Sequence, residues 1–396
     1  MVRLADVLCR HGPDYQQRHG PALLPSHARA VRAITQCRTA ALGGHLAQCT
    51  QCSSRHVLYH SCRHRACPRC GHDAANRWLA HQESLLLPVQ YFHVVFTLPS
   101  ELRRAVRSHQ RVLLGVLFRA AFESLAALCA DPRYVGGRIG ALAVLHTWTR
   151  TLEWHPHVHM LVPAGALGPD GRTWLEPKDR RKPFLVPVRA LSELFRGRFL
   201  RLARAALPHE RLAVPWSKRW VVFSKPAVQG AQRVLQYLGR YVHRTALTDK
   251  ALLGCDERTV RVAYRHSADG RSRCMTLPAQ EFLRRFLQHV PAKGLHRVRA
   301  FGLLHPAHRA ALRQLQLRLA QDARAPAFDT GEHDDSPPAR PPLRCPRCHT
   351  PTLRLLRRLS TQECIALASA PTAAQAQARA PPSLAPSPPS TTAVMS

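Results

Sequence analysis

Two short segments carry the side chains best suited to chemistry: Trp154-His155-Pro156-His157-Val158-His159 and Tyr237-Leu238-Gly239-Arg240-Tyr241. Residues two apart on a strand face the same side, so His157 and His159 point together while Val158 turns into a core. Two imidazoles on a rigid sheet supply two-thirds of a facial metal site with open positions. Open positions suit a Mg2+ or Mn2+ that must also take a substrate phosphate. The third ligand is left open among His93, His155, Gln232 and Gln236, with His93 on the first strand carried forward. Tyr237 and Tyr241 stand one turn apart on a predicted helix. A phenol has an ordinary pKa of about 10, so a tyrosine attacking phosphorus needs a cation and arginines to assist it. Lys225, Arg240 and Arg244 flank the pair as phosphate contacts. The bland alternatives are two solvated histidines, an aromatic core pair and a solvated basic face.

Thirteen cysteines form the second chemical theme, and six of them fall between residues 37 and 70. Cys49-Thr-Gln-Cys52 and Cys67-Pro-Arg-Cys70 are two knuckles whose thiolates are expected to close one tetrahedral, structural Zn2+. A redox role would need a thioredoxin-like strand–helix–strand context, which the flanking sequence lacks. Cys37 and Cys62, with His45, His60 and His64, hold donors for a second zinc. A further knuckle, Cys345-Pro-Arg-Cys348, has no obvious partner pair. Arg65 and Arg69 sit among the ligands, and a zinc-stapled loop bearing arginines is a candidate DNA contact.

The elements that must position these groups read as α+β. Strands are expected at Tyr91–Leu98, Ile139–Trp148, His157–Val162 and Trp220–Phe223, the middle two joined as an antiparallel hairpin. Helices are expected over Ser100–Leu128 and Val228–Arg244. An antiparallel sheet backed by helices is the economical architecture. The expected division is a zinc-binding DNA-recognition domain at 1–85, a catalytic body at 88–305, a helix and linker at 306–344, and the knuckle with a disordered Ala/Pro/Ser-rich tail at 345–396.

The formal net charge is +34, from 58 Lys and Arg against 24 Asp and Glu. That excess points to a polyanion as partner and away from a small neutral or cationic substrate. No apolar run of about 18 residues suggests a membrane span, and Met1–Gly20 lacks a signal core, so a cytoplasmic protein is expected. With so few carboxylates and no acidic cluster in the central body, a three-carboxylate nuclease is disfavoured.

Together these motifs resemble the two-tyrosine HUH transposases of bacterial rolling-circle insertion sequences, the insertion-sequence-ninety-one family. The stretch from Cys37 through His45, Cys62 and Cys70 is similar to that family's zinc-binding domain. Phe96-Thr-Leu-Pro99, Ser224-Lys225-Pro226, Tyr241-Val-His-Arg244 and Phe282–Leu303 resemble its internal signatures. The resemblance implies an antiparallel-sheet HUH nuclease core in which His157 and His159 hold the cation. It also implies that Tyr237 or Tyr241 cleaves single-stranded element-end DNA through a 5′-phosphotyrosine, without ATP. No P-loop is present, so strand separation would fall to host replication machinery. Two alternatives stand beside it: a non-catalytic zinc-dependent DNA-binding protein, and a replication initiator or relaxase using the same nuclease chemistry.

Overall fold

The computed structural model describes residues 2–179, 185–215, 217–227, 230–242, 247–266, 269–322 and 343–369, excluding the side chains of 72–74, 237 and 240–242. The expected linker after Asp322 and the expected tail after Ser369 lie outside the described residues.

Five strands form the central sheet: β1 (Tyr91–Thr97), β2 (Gly140–Trp148), β3 (Trp154–Pro163), β4 (Val222–Pro226) and β5 (Val298–Gly302). Their order is β5-β2-β3-β1-β4, antiparallel throughout. The β2–β3 hairpin is present as expected, and β5 at its far side is a strand the sequence reading did not separate. Alternation along the strands divides the sheet into two faces. One face carries Phe92, Val94 and Phe96, then Ala141, Ala143 and Leu145, then Val158, Met160 and Val162, all in one core. Helices α1 (Gln110–Ala130) and α2 (Val188–Ala206) cover that face with Leu113, Leu117, Phe118, Phe195 and Phe199. The Phe96 ring meets Phe195 edge-on at 5.0 Å between centroids.

The expected helix over 100–128 is two helices. Arg103–Ser108 ends at His109, where φ −115° and ψ 45° break the turn, and α1 starts at Gln110. By length and composition α1 is apolar enough to cross a membrane, which the sequence reading passed over. Its apolar side chains are spent on the sheet: Leu113, Leu114, Leu117 and Phe118 are fully buried.

The opposite face of the sheet carries Tyr91, Leu142, Val144 and Leu161. It packs against Leu235 and Leu238 of α3 (Ala231–Val242). A further core unites the helices Leu4–His19, Pro25–Thr35 and Ala279–Leu287 with a three-stranded antiparallel sheet of Leu252–Cys255, Thr259–Arg265 and Ser272–Pro278. The fold is therefore α+β.

Contacts divide the chain into two units, 1–37 with 62–340, and 38–61 with the segment from 341 onward. The expected 1–85 module is thus distributed over both units. In the smaller unit the strand Gly44–Cys49 is the centre of a three-stranded sheet. It pairs with Arg55–Tyr59 on one side and with Leu353–Leu359, some three hundred residues later in sequence, on the other.

Candidate functional site

On the face of the sheet that α3 covers, the strand register collects histidines. His146 on β2 lies directly opposite His157 on β3, and His159 lies opposite Val144 on one side and Val95 on the other. Ligand atoms of His146, His157 and His159 all lie within 4.8 Å of one another. The ring of His146 is centred 4.1 Å from that of His159 and 5.3 Å from that of His157. The His157 Nδ1 stands 2.7 Å from the His155 carbonyl. Donation from Nδ1–H to that oxygen leaves the Nε2 lone pair for a cation, as is usual for ligating histidines.

His93, carried forward from the sequence as third ligand, takes a different place. Its Nε2 lies 2.8 Å from His159 Nδ1 and the rings stack at 5.0 Å. A tautomer that presents His159 Nε2 to a cation has His159 Nδ1–H donating to His93, and in it His93 would be an orienting partner. The third imidazole of the cluster is His146. The sequence reading missed it, although His146 lies on a strand it identified. A turn over Thr149–Glu153, closed by Thr149 N–H donating to the Glu153 carbonyl, would by itself set His146 across from Pro156; the irregularity between His146 and Trp148 brings His146 opposite His157, a shift that the sequence pattern does not signal. The remaining candidates are not among the clustered ligand atoms, although the His155 ring centre is 5.1 Å from that of His157. The His155 ring accepts from Arg103 at 2.9 Å, and Gln232 and Gln236 are exposed on α3.

Burial keeps these imidazoles neutral. Desolvation pushes His157 and His93 down to about 4 and His159 to about 2, and holds His146 well below the ordinary 6.5. Neutral imidazole is the metal-binding form. Three clustered, neutral ring nitrogens fit a divalent cation; the all-nitrogen set suits Mn2+ better than Mg2+, whose preference is for oxygen.

Lys225 is exposed on β4 directly opposite His93. Facing strand partners share a side, so Lys225 stands on the histidine face, its Nζ 5.5 Å from the Phe223 ring centre. Tyr237, Arg240 and Tyr241 belong to α3, whose Leu235 and Leu238 are buried against that same face. The side chains of these three residues, and Arg244 entirely, lie outside the described residues.

The cysteines sort differently from the expected pairing. Cys67 and Cys70 join Cys37 and Cys62, with sulfur separations of 3.4 Å (Cys37–Cys70), 3.6 Å (Cys62–Cys70) and 3.6 Å (Cys37–Cys67). Cys49 and Cys52 belong to another cluster, with Cys345 and Cys348. The expected set of Cys49, Cys52, Cys67 and Cys70 is therefore not one site. Sequence spacing favoured adjacent knuckles, whereas the chain pairs each with a more distant partner. Arg65 is not a free arm: its guanidinium donates to the carbonyls of Leu295 and Ala292 at 2.8 and 3.0 Å. Arg69 is half-buried.

An α+β fold with two four-thiol clusters and a histidine-lined sheet has the donor sets of a metal-binding protein, and comparison with known sequences narrows the class. Residues 7–98 match the family described as "Transposase zinc-binding domain", and residues 140–311 match the family described as "Putative transposase". The chain is 38% identical over 372 residues to "Putative transposase y4qJ" of Sinorhizobium fredii, covering 87% of this chain and 92% of that one. It is 30% identical over 299 residues to the "Transposase for insertion sequence element IS801" of Pseudomonas savastanoi pv. phaseolicola, covering 69% of each. No solved structure matches significantly. The chain belongs to the IS91 family of transposases and carries that family's N-terminal zinc-binding domain.

Proposed function

We propose that this transposase cleaves and rejoins single-stranded element-end DNA through a tyrosine–phosphate bond, at a cation held by His146, His157 and His159. The observation that carries the reading is the convergence of three neutral imidazoles on the sheet face against which the tyrosine-bearing helix packs. A divalent cation bound there supplies Lewis-acid polarisation of the scissile phosphate. His93 orients His159, and the His155 carbonyl orients His157. Lys225, on the same face, draws the phosphate backbone toward the cluster. The oxygen of Tyr237 or Tyr241 forms a bond to phosphorus and gives its proton to solvent. The 3′ oxygen leaves as a hydroxyl, and the enzyme retains a 5′-phosphotyrosine. Attack on that linkage by a 3′-hydroxyl restores the phenol and joins the strands, so the phosphodiester energy is conserved. Arg240 and Arg244 offset charge on the transferred phosphate, and strand separation falls to host replication.

The test is incubation with a single-stranded oligonucleotide carrying an element end and Mn2+. A denaturation-resistant protein–DNA adduct is expected from the native chain and not from His146→Ala or from Tyr237→Phe/Tyr241→Phe. An undiminished adduct from the double tyrosine variant would refute the nucleophile; one from His146→Ala would refute the triad.

A further inference from the structure

The knuckle Cys345–Cys348 has no assigned role, and residues 7–98 that match the zinc-binding domain do not include it. In the structure it mirrors the knuckle Cys49–Cys52. In each, the first cysteine's N–H donates to the carbonyl five residues on: Cys49 to Ser54 at 3.0 Å, Cys345 to Thr350 at 2.8 Å. In each, the residue after the second cysteine returns its N–H to the first cysteine's carbonyl: Ser53 to Cys49 at 3.0 Å, His349 to Cys345 at 2.8 Å. That residue is left-handed in both, with φ 57° at Ser53 and 59° at His349. Such a conformation is uncommon outside glycine, and its repetition shows two copies of one tight turn. Each turn aims a backbone N–H at its leading sulfur, Cys52 N–H at Cys49 Sγ and Arg347 N–H at Cys345 Sγ, both at 3.4 Å. N–H donation of this kind favours the thiolate.

The two knuckles face each other. Cys49 Sγ lies 3.5 Å from Cys348 Sγ, and Cys52 Sγ lies 3.7 Å from Cys345 Sγ. These gaps are too long for a disulfide. They match the edge of a tetrahedron with zinc–sulfur bonds of about 2.3 Å, roughly 3.8 Å. We propose that Cys49, Cys52, Cys345 and Cys348 hold a second structural Zn2+, which staples the C-terminal strand Leu353–Leu359 to Gly44–Cys49. The first zinc then sits on Cys37, Cys62, Cys67 and Cys70. Both clusters are four-thiolate sites with no open position, so this ion is structural. The proposal stands apart from the tyrosine chemistry, in which no thiol takes part.

Zinc released from the purified full chain by a thiol-blocking mercurial, and measured with a colorimetric chelator, tests it. One ion per cluster is expected, so Cys345→Ser/Cys348→Ser should halve the zinc per chain, as should Cys62→Ser/Cys67→Ser. Wild-type zinc content in the Cys345→Ser/Cys348→Ser variant overturns the site. Should that variant aggregate, the native chain reloaded with Co2+ decides. Thiolate-to-cobalt charge-transfer absorption twice that of a single four-thiolate site supports the proposal, and absorption for one such site overturns it.

Discussion

At the scale of residues, the proposed cation site rests on one cross-strand pair, His146 against His157, with His159 two residues along the same strand. Losing a direct ligand should cost more than losing an orienting group. Removal of an orienting partner typically costs about 10–100-fold in metal affinity. We therefore expect His93→Ala to weaken Mn2+ binding within that range and His146→Ala to weaken it beyond the range, both read by calorimetric titration of the folded variants. Equal losses would show that His93 is itself a ligand. His157 and His159 were readable from sequence because the two-residue period of a strand needs no tertiary information. His146 was not, because its place depends on pairing register, and the β2–β3 ladder shifts between His146 and Trp148. A count of strand period alone does not fix such a register.

At the scale of elements, the sheet holds the site only if both of its faces stay covered. Phe195 of α2 is fully buried between Phe96 and Trp220, with ring centres at 5.0 and 5.3 Å. Phe195→Ala should lower unfolding free energy by about 3–5 kcal/mol, measured by denaturant titration. A loss below 1 kcal/mol would mean that α2 does not close this core. Gly302 ends β5 with φ +54°, and a Cβ there would stand 2.0 Å from the Ile139 carbonyl oxygen. Gly302→Ala should therefore destabilise the sheet edge, seen as faster amide exchange along β5 and the adjoining β2; unchanged exchange would contradict the close approach. Four of the five central strands were visible as short apolar runs, the last of them displaced: expected at Trp220–Phe223, it runs Val222–Pro226. The fifth, Val298–Gly302, was not, because all five of its residues are only half-buried and its short pattern carries little apolar contrast. The long helix was read without its break at His109, a residue with no proline or glycine signal to mark the kink.

At the scale of the molecule, the net charge of +34 is the feature most directly legible in the sequence. In the smaller unit, the described residues 38–61 and 343–369 include seven arginines and a single acidic residue, Glu363. Binding to DNA should accordingly weaken steeply with salt. If six or more phosphates are neutralised, affinity should fall by about 10³-fold or more between 50 and 200 mM salt, measured by fluorescence anisotropy. A nearly flat salt response would remove the electrostatic basis of DNA binding. The pairing of distant knuckles lay beyond sequence reading for a simple reason. Loop closure entropy grows only slowly with chain length, by about 0.6 kcal/mol per doubling, so a metal site can join cysteines hundreds of residues apart at modest extra cost, and spacing rules see only the neighbours.

The proposed step is attack by a phenol oxygen of α3 on phosphorus beside the histidine cluster. Its most direct measurement is mass-spectrometric mapping of the peptide left joined to a single-stranded element-end oligonucleotide after reaction with Mn2+. A 5′-phosphate linked to Tyr237 or Tyr241 is expected. A linkage to any other residue, or to the 3′ end of the DNA, would contradict it.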